Sequence, residues 1–211
     1  MRMAAGAPTR HSVGVDFWLS LSSTYTYLAA SRIDALAAAR GVAVRWRPFT
    51  LGPIFAELGW STSPFVLQPQ KGRYMWRDVE RACDALGLRF KRPSVFPRNS
   101  VAAMRVALVG CERSWGPAFA RAVLLANFGE NRDISAPSVI DEILVELGLD
   151  GALVRAESES PAWRPRLRAE TDEAKRLGIF GAPTFMVGDE MFWGNDRLEQ
   201  ALDWAARSRG R

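Results

Sequence analysis

The chain has 211 residues, 48% hydrophobic and 24% charged, which is typical of one globular domain or of one domain with a second inserted into it. Its net charge of +5 comes from dispersed basic residues, which favours a solvated surface, then a site for small anions, over nucleic-acid binding. We expect no membrane partner, because no apolar run approaches the length of a membrane span. The one histidine, His11, gives little support to a Ser-His-Asp or Cys-His mechanism or to a zinc site.

The N-terminal part predicts a βαβ unit. Residues 1–12 have no periodicity and no apolar core region, so we expect a disordered extension and not a secretory signal. Residues 13–19 are rich in β-branched and aromatic side chains and predict a strand. A turn crowded with hydroxyl groups follows, and residues 25–40 carry apolar side chains at helical spacing, with Gly41 as the stop. Residues 42–49 alternate apolar and basic side chains and predict a second strand, parallel to the first.

The middle of the chain predicts a helical block. Residues 50–70 contain three prolines and no clear period, so we expect an irregular segment there. From Lys71 to about Leu177 every clear pattern is helical. Ser135 is a predicted helix cap, and Gly178 stands where a C-terminal glycine is expected. The predicted helices cover residues 71–86, 100–111, 117–128, 136–147, 150–158 and 165–177.

The two cysteines, Cys83 and Cys111, lie far apart on apolar helix faces and form no CxxC motif. They are predicted to be buried thiols of a protein in a reducing cytoplasm. Chemistry therefore has to run on hydroxyls, carboxylates, basic side chains, backbone groups or a bound cofactor.

The C-terminal part returns to β structure. Residues 184–187 and 191–193 predict two strands, because a Gly-Asp pair between them suits a two-residue hairpin turn, and a last helix begins near Asp196. The order βαβ, helical block and ββα predicts a four-stranded mixed sheet in an α/β, thioredoxin-like fold. The predicted domains are a thioredoxin-like domain of residues 13–49 plus 178–211 and a helical domain of residues 50–177 inserted into it.

Four stretches of the sequence resemble one enzyme family and occur in the family's order. They are FWLSLSSTYTYLA at 17–29, KGRYMWRDVERACDALGL at 71–88, FPRNS at 96–100 and FGAPTFMVGDEMFWGNDRL at 180–198. Over residues 13–207 the chain resembles the glutathione-dependent 2-hydroxychromene-2-carboxylate isomerases and the related kappa-class glutathione transferases. The resemblance implies the DsbA-like branch of the thioredoxin fold.

The resemblance implies that glutathione supplies the reactive thiol. Disulfide oxidoreductases of this branch carry CxxC at the start of the first helix, whereas this chain has STYT at residues 23–26. Without a cysteine, that site cannot carry out dithiol–disulfide exchange. Alignment of the family motif on Tyr27 puts its catalytic serine on Ser23, with Ser22 second. The serine hydroxyl would stabilise a glutathione thiolate, and the alternative is that Ser23 only caps the helix.

The same resemblance implies a glutathione site near the C-terminal motif. Ala182-Pro183 matches the cis-proline position of the fold, where the residue before the proline pairs by its backbone with the cysteinyl part of glutathione. Asn195 and Asp196 open the last helix. In the family this aspartate holds the γ-glutamyl ammonium, while the neighbouring backbone takes the carboxylate. A capping box of Asp196 with Glu199 is the alternative reading.

Further residues are predicted near the ligands. Lys71 is the candidate that the resemblance implies for the glycyl carboxylate of glutathione. Arg98 and Asn99 either contact an acidic substrate or, as is commoner for Arg98, lie on the surface. The chain departs from the family at Thr24, where a proline is usual, and at Trp60, where kappa transferases often carry a glutathione-binding asparagine. Four aromatic side chains either line an apolar pocket for an aromatic substrate or pack in the core: Phe49, Trp60, Tyr74 and Trp193.

We therefore expect a cytoplasmic, glutathione-dependent isomerase of the 2-hydroxychromene-2-carboxylate type, acting on a small aromatic molecule in the catabolism of aromatic compounds. The resemblance also suggests a homodimer. Two alternatives stay open. One is a kappa-like glutathione transferase or peroxidase that uses the same site, and the other is a non-catalytic DsbA-like binding protein that has lost its cysteines.

Overall fold

The computed structural model describes residues 14–208. The predicted disordered extension of residues 1–12, with His11, lies outside that range. A four-stranded sheet forms the centre in the order β2-β1-β3-β4, with β1 parallel to β2 and antiparallel to β3, and with β4 antiparallel to β3. This arrangement confirms the predicted thioredoxin-like α/β fold. The strands are β1 Val15–Leu19, β2 Val44–Pro48, β3 Thr184–Val187 and β4 Glu190–Trp193.

Phe17, in the middle of β1, sets the register of three neighbouring strands. It is fully buried and lies opposite Trp46 of β2 and Phe185 of β3. Its ring centroid is 4.8 Å from that of Trp46, edge to face, and 5.3 Å from that of Phe185, stacked. Such cross-strand aromatic pairs stabilise a sheet beyond the area that they bury. A slip of one residue would turn these rings away from the core, so this register is strongly favoured.

Helices occupy most of the rest of the chain. Two short helices connect β1 to β2, a long series follows β2, and the last helix follows β4 after a 3-10 turn, Asn195–Arg197. The helices are α1 Thr24–Ala30, α2 Ile33–Ala39, α3 Gly52–Glu57, α4 Pro64–Leu67, α5 Pro69–Leu86, α6 Val101–Cys111, α7 Gly116–Phe128, α8 Pro137–Glu146, α9 Gly151–Ser158, α10 Arg164–Arg176 and α11 Leu198–Ser208.

The structure corrects two predicted segments. The helix predicted over residues 25–40 is two helices, because Ser31 ends α1 and Arg32 precedes α2 with a non-helical backbone (φ −126°, ψ −12°). The segment 50–70, predicted to be irregular, contains α3, α4 and the start of α5. Its three prolines occupy the first two positions of these helices, where the missing N–H would have no partner within the helix.

Two local predictions also differ from the structure. Ser135 does not cap α8, because its hydroxyl donates to the Asp133 carboxylate at 2.6 Å and Ala136 takes the cap position. Cys83 is buried as predicted, whereas Cys111 is only partly buried. Burial raises the pKa of Cys83 to about 11 and the pKa of Cys111 to about 12. Both thiols are therefore protonated at pH 7.

One hydrophobic core runs from the sheet into the helical block. Three side chains of β1 face it, together with buried side chains of α5 to α8 and α11. Trp18 points to the other face of the sheet, into a smaller cluster with Phe49 and Ala174. Both clusters combine residues of the two predicted domains, whose boundaries stay a prediction. Within residues 14–208 no helix combines the length and the hydrophobicity that crossing a bilayer requires.

Candidate active site

A cleft of about 1250 Å³ is lined by the turn after β1, the α3–α4 segment, one face of α5, one face of α10, the loop before β3 and the turn after β4. This volume exceeds the range of about 300–1,000 Å³ that is usual for a pocket holding one drug-sized ligand. Within the described residues, no three His, Cys, Asp or Glu side chains are arranged to hold a metal ion. The predicted site residues that line the cleft are Ser22, Ser23, Trp60, Lys71, Tyr74, Arg98, Asn99, Ala182, Trp193, Asn195 and Asp196, whereas the predicted Pro183 lies outside this lining.

The Ser23 hydroxyl connects two parts of this cleft. Ser23 has an extended backbone and is the N-cap of α1, where its Oγ accepts a hydrogen bond from the Thr26 amide at 3.3 Å. The same hydroxyl donates to the carbonyl oxygen of Ala182 at 2.8 Å, across 159 residues of sequence. The Ala182–Pro183 peptide bond is cis, as predicted. Capping therefore uses a lone pair of the Ser23 oxygen, and the hydroxyl proton is directed at the loop before β3.

Side chains of α6 and α7 support the turn before α1 on its buried side. The Leu21 carbonyl accepts a hydrogen bond from the Asn127 side-chain amide at 3.1 Å, and the Leu21 amide lies 3.3 Å from the sulfur of Met104. The hydroxyls of Ser20 and Ser22 share a hydrogen bond at 3.1 Å. Ser22 also lines the cleft, so it stays the second candidate for contact with a thiolate.

Arg98 is buried, which corrects the surface position expected for it and argues against its alternative as a substrate contact. Its guanidinium donates to the Asn127 side chain at 3.0 Å, to the Arg132 carbonyl at 2.8 Å and to the Asn131 carbonyl at 3.2 Å. These acceptors occupy its nitrogens, so Arg98 supports the wall of the cleft instead of binding a ligand. Through Asn127 it also supports the turn at Leu21.

The turn after β4 carries Asn195 and Asp196 to the cleft. The Asp196 side chain is 72% exposed and lies 3.4 Å from the Arg197 guanidinium. The Glu199 carboxylate, which the capping-box reading pairs with the backbone, instead accepts a hydrogen bond from Arg32 at 2.8 Å. Asp196 is therefore an exposed carboxylate beside the cleft, and such a group suits an ammonium ligand.

One face of α5 brings Lys71, Tyr74 and Asp78 to the cleft at spacings of three and four residues. The Lys71 ammonium lies 5.9 Å from the Phe65 ring centroid and has no ion pair within residues 14–208. Tyr25 donates to Asp78 at 2.9 Å, and burial, followed by this hydrogen bond, raises the pKa of Tyr25 well above its usual range. Sequence reasoning missed Tyr25 and Asp78, although Asp78 continues the helical spacing of Lys71 and Tyr74.

Three of the four predicted pocket aromatics line the cleft. The Trp60 ring centroid is 5.6 Å from that of Phe55, and the Trp193 centroid is 4.9 Å from that of Phe180. Tyr74 is 62% exposed on α5. These rings form apolar surfaces at separate positions of the cleft, on which the flat parts of a ligand can lie.

Phe49 does not line the cleft, which corrects its placement in the substrate pocket, and it takes the alternative position in the core. Its amide donates to the Leu19 carbonyl at 3.1 Å, which continues the pairing of β1 and β2 by one residue. The alternation of side chains therefore turns Phe49 into the smaller core cluster, edge to face with Trp18 at 5.9 Å. The next residue, Thr50, lines the cleft in its place.

A basic face of α10, which sequence reasoning missed, forms another wall of the cleft. Arg164, Arg168, Thr171 and Lys175 follow one another at spacings of four, three and four residues, so they share this face. The Thr171 hydroxyl lies 3.0 Å from that of Thr50, just beyond the end of β2, and this contact ties the helix to the sheet. The spacing was visible in the sequence, but the neighbouring acidic residues concealed it.

The cations of this face differ in how they are neutralised. Arg164 pairs with Glu159 at 2.9 Å, and the Lys175 ammonium lies 2.7 Å from the Glu57 carboxylate. Arg168 is exposed and makes neither an ion pair nor a side-chain hydrogen bond in the described part of the chain. It can therefore bind an anionic ligand without giving up a partner in the protein.

We expect Arg98→Met to lower the free energy of unfolding by about 3–5 kcal/mol, because it removes a donor from the buried Asn127 oxygens and from the partly buried carbonyl oxygens of Asn131 and Arg132. Equilibrium unfolding in urea measures this loss. The matched control is Arg77→Met, since Arg77 is 64% exposed and pairs with Glu80 on the surface of α5. The control should change the free energy by no more than about 0.5 kcal/mol. An Arg98 variant as stable as the control would contradict the supporting function of Arg98.

Comparisons with known proteins agree with this architecture. The model of the DSBA-like thioredoxin domain matches residues 14–204. The 2-hydroxychromene-2-carboxylate isomerase of Pseudomonas putida is 31% identical over 191 residues, which are 87% of this chain and 90% of that protein. Glutathione S-transferase kappa 1 of Caenorhabditis elegans is 24% identical and covers 90% of this chain and 89% of its own. A solved structure of a 2-hydroxychromene-2-carboxylate isomerase matches with a TM-score of 0.82 at 27% identity, over 93% of this chain and 97% of that one.

Proposed function

Since the chain belongs to the DSBA-like thioredoxin domain family, in the branch of the 2-hydroxychromene-2-carboxylate isomerases, we propose that it is a glutathione-dependent isomerase of that type. The observation that carries this proposal is the hydrogen bond from the Ser23 hydroxyl to the Ala182 carbonyl at 2.8 Å. A hydroxyl donor therefore lies beside the cis-proline loop, where disulfide oxidoreductases of the branch use a thiol. A thiol that acts at this position in our protein has to come from a second molecule.

The groups of the cleft fit glutathione. The Lys71 ammonium, which has no ion pair within residues 14–208, can bind the glycyl carboxylate. The exposed Asp196 carboxylate can bind the γ-glutamyl ammonium. The backbone of Ala182 can pair with the cysteinyl amide as an added strand pairs with a sheet edge. When bound, glutathione supplies a thiol that adds to the conjugated double bond of the substrate and leaves again after rotation about the former double bond. The remaining length of the cleft is left for the substrate.

Ser23 acts by holding the sulfur as a thiolate. A free thiol has a pKa of about 8.5, so only a few per cent of it is ionised at pH 7. The Ser23 hydroxyl can turn its proton from the Ala182 carbonyl to the sulfur, and the carbonyl can then accept the cysteinyl N–H. In this exchange the Ser23 hydroxyl and the Ala182 carbonyl each lose one hydrogen bond and gain another. The new acceptor of the hydroxyl is charged, which makes a stronger hydrogen bond. Hydrogen bonding to the charged form lowers the pKa of the thiol.

We expect Ser23→Ala to raise the pKa of the bound glutathione thiol by about one unit, because a hydrogen bond to the charged sulfur is lost. A pH titration of the ultraviolet thiolate absorbance of the complex measures the shift. The thiolate then forms at higher pH in the variant than in the wild type. Ser22→Ala is the matched control and should leave the titration curve in place. A shift in Ser22→Ala with none in Ser23→Ala would assign the thiolate contact to Ser22 instead.

The fate of glutathione separates the isomerase from its alternatives. We expect the concentration of free thiol to stay constant over many turnovers of 2-hydroxychromene-2-carboxylate, because the thiol leaves unchanged in every cycle. Chromatography of the product together with a thiol assay tests this. Loss of thiol into a conjugate would favour a kappa-like transferase, and its oxidation would favour a peroxidase. No binding of glutathione at millimolar concentration would favour a non-catalytic binding protein.

The basic face of α10 suits the carboxylate of such a substrate. The Arg168 guanidinium has no ion pair with any of the described residues. It lies one helical turn from Thr171, which contacts Thr50 at the edge of the sheet. A guanidinium binds a carboxylate through two parallel hydrogen bonds and so fixes its orientation. The Trp60 and Phe55 rings offer an apolar surface for the aromatic part of the same molecule. Charge and apolar surface together favour an aromatic acid as the substrate.

Arg168→Gln should raise the KM for 2-hydroxychromene-2-carboxylate about tenfold and change kcat little, because the contact is made by substrate and transition state alike. Steady-state kinetics at saturating glutathione measure the two constants. Arg207→Gln is the control, since Arg207 lies in the last turn of α11 and outside the cleft lining. An unchanged KM in Arg168→Gln would assign the carboxylate contact to another cation of the cleft.

A further inference from the structure

Arg32 lies in the break between α1 and α2 and reaches to the turn after β4. One of its terminal nitrogens donates to the Asn195 carbonyl at 2.9 Å and to the Asn195 side-chain oxygen at 3.2 Å. The other donates to the Glu199 carboxylate at 2.8 Å. The Arg32 side chain is 22% exposed, and it lies outside the lining of the cleft. A single guanidinium therefore ties the end of α1 to the start of the turn and to α11.

We propose that Arg32 is a positioning residue for the γ-glutamyl end of glutathione, an inference that rests on the proposed function. The Asn195 carbonyl accepts hydrogen bonds from Arg32 and from the Leu198 amide at the end of the 3-10 turn. Because a trans peptide unit is planar and directs its C=O and its N–H to opposite sides, the amide of Asp196 points away from Arg32. Asn195 and Asp196 both line the cleft. Arg32 thus helps to fix the direction of the Asp196 amide, which can donate to the γ-glutamyl carboxylate. It also supports the backbone that carries the Asp196 carboxylate, which can accept from the γ-glutamyl ammonium.

The position of Arg32 also couples the two ends of the ligand. Ser23 caps the first turn of α1, and Arg32 follows the last turn of this seven-residue helix. A helix of that length spans about 10 Å, a distance that does not vary while the helix stays formed. The thiol contact and the amino-acid contact are therefore held at a constant separation by α1 and Arg32. A thiol compound without the γ-glutamyl group can use only the first of the two contacts.

Arg40 provides a matched control for this inference. It ends α2 and donates through Nε to the Asp203 carboxylate of α11 at 2.6 Å, so it joins the same two regions of the fold. Its side chain is 24% exposed and that of Asp203 is 51% exposed, against 22% for Arg32 and 55% for Glu199. Arg40 makes no contact with Asn195, and it lies outside the cleft lining. A loss of stability that both variants share can therefore be separated from a loss of ligand binding.

The test compares Arg32→Met with Arg40→Met by calorimetric titration, using glutathione and N-acetylcysteinylglycine. The second probe keeps the thiol, the amide and the glycyl carboxylate and lacks the γ-glutamyl amino acid. We expect Arg32→Met to bind glutathione about tenfold more weakly, and N-acetylcysteinylglycine with the affinity of the wild type. Arg40→Met should bind both probes as the wild type does. Glu199→Gln, which leaves the contacts to Asn195 in place, should stay within about twofold of the wild type for glutathione.

Several outcomes would overturn the inference. Unchanged glutathione affinity in Arg32→Met would contradict the inference and leave the proposed function intact. An equal loss for both probes would mean that Arg32 supports the fold in general. Absence of glutathione binding by the wild type at millimolar concentration would overturn the inference together with the proposed function. If Arg32→Met does not fold, Arg32→Lys keeps the charge and loses the forked geometry. We expect Arg32→Lys to show a smaller loss for glutathione alone, and a loss shared by both probes would again contradict the inference.

Discussion

The antiparallel pairing of β1 with β3 determines what meets in the cleft. Trp18, near the end of β1, lies opposite Thr184 at the start of β3, so the turn after β1 and the cis-proline loop emerge at the same edge of the sheet. The contact of Ser23 with Ala182 follows directly from this register. The packing of the buried Phe17 ring against Trp46 and Phe185 disfavours a slip of the pairing, which would move the two loops apart. The long helical segment between β2 and β3 can therefore carry the remaining walls of the cleft without disturbing its centre.

Charges of both signs line the cleft. Lys71 and Asp78 lie on α5, Asp196 and Arg197 lie in the turn after β4, and Arg168, Asp172 and Lys175 lie on α10. Tyr25 keeps its proton because of burial and its hydrogen bond to Asp78, so it adds no further negative charge beside them. Arg164 and Lys175 of α10 are already paired with Glu159 and Glu57. Among the described residues, the cleft cations without an ion pair therefore include Lys71 on α5 and Arg168 on α10, the two residues to which the proposed function assigns carboxylates.

The residues alone predict the four strands, the parallel βαβ unit, the C-terminal hairpin and the hydroxyl-rich turn, because each depends on neighbours in the sequence, whereas the cis proline is implied by the family resemblance. Sequence reasoning fails where a distant contact decides. The break before α2 is occupied by Arg32, whose partners lie more than 160 residues away. Arg98 is buried because backbone and side-chain oxygens of residues 127–132 surround it, and no sequence pattern reports the direction of a carbonyl. Phe49 ends the predicted strand of residues 42–49, but the alternation of its side chains does not reveal that the second face of the sheet is also covered, by a cluster with Trp18 and Ala174.

The burial of the two cysteines has a consequence for the proposed use of glutathione. Thiol–disulfide exchange begins with attack by a thiolate, and burial keeps both Cys83 and Cys111 in the neutral form at pH 7. Glutathione disulfide therefore meets no competent nucleophile on these side chains. In the proposed reaction, Cys83 and Cys111 would therefore resist glutathionylation by the oxidised form of the cofactor. A cysteine exposed in the cleft would be open to that modification.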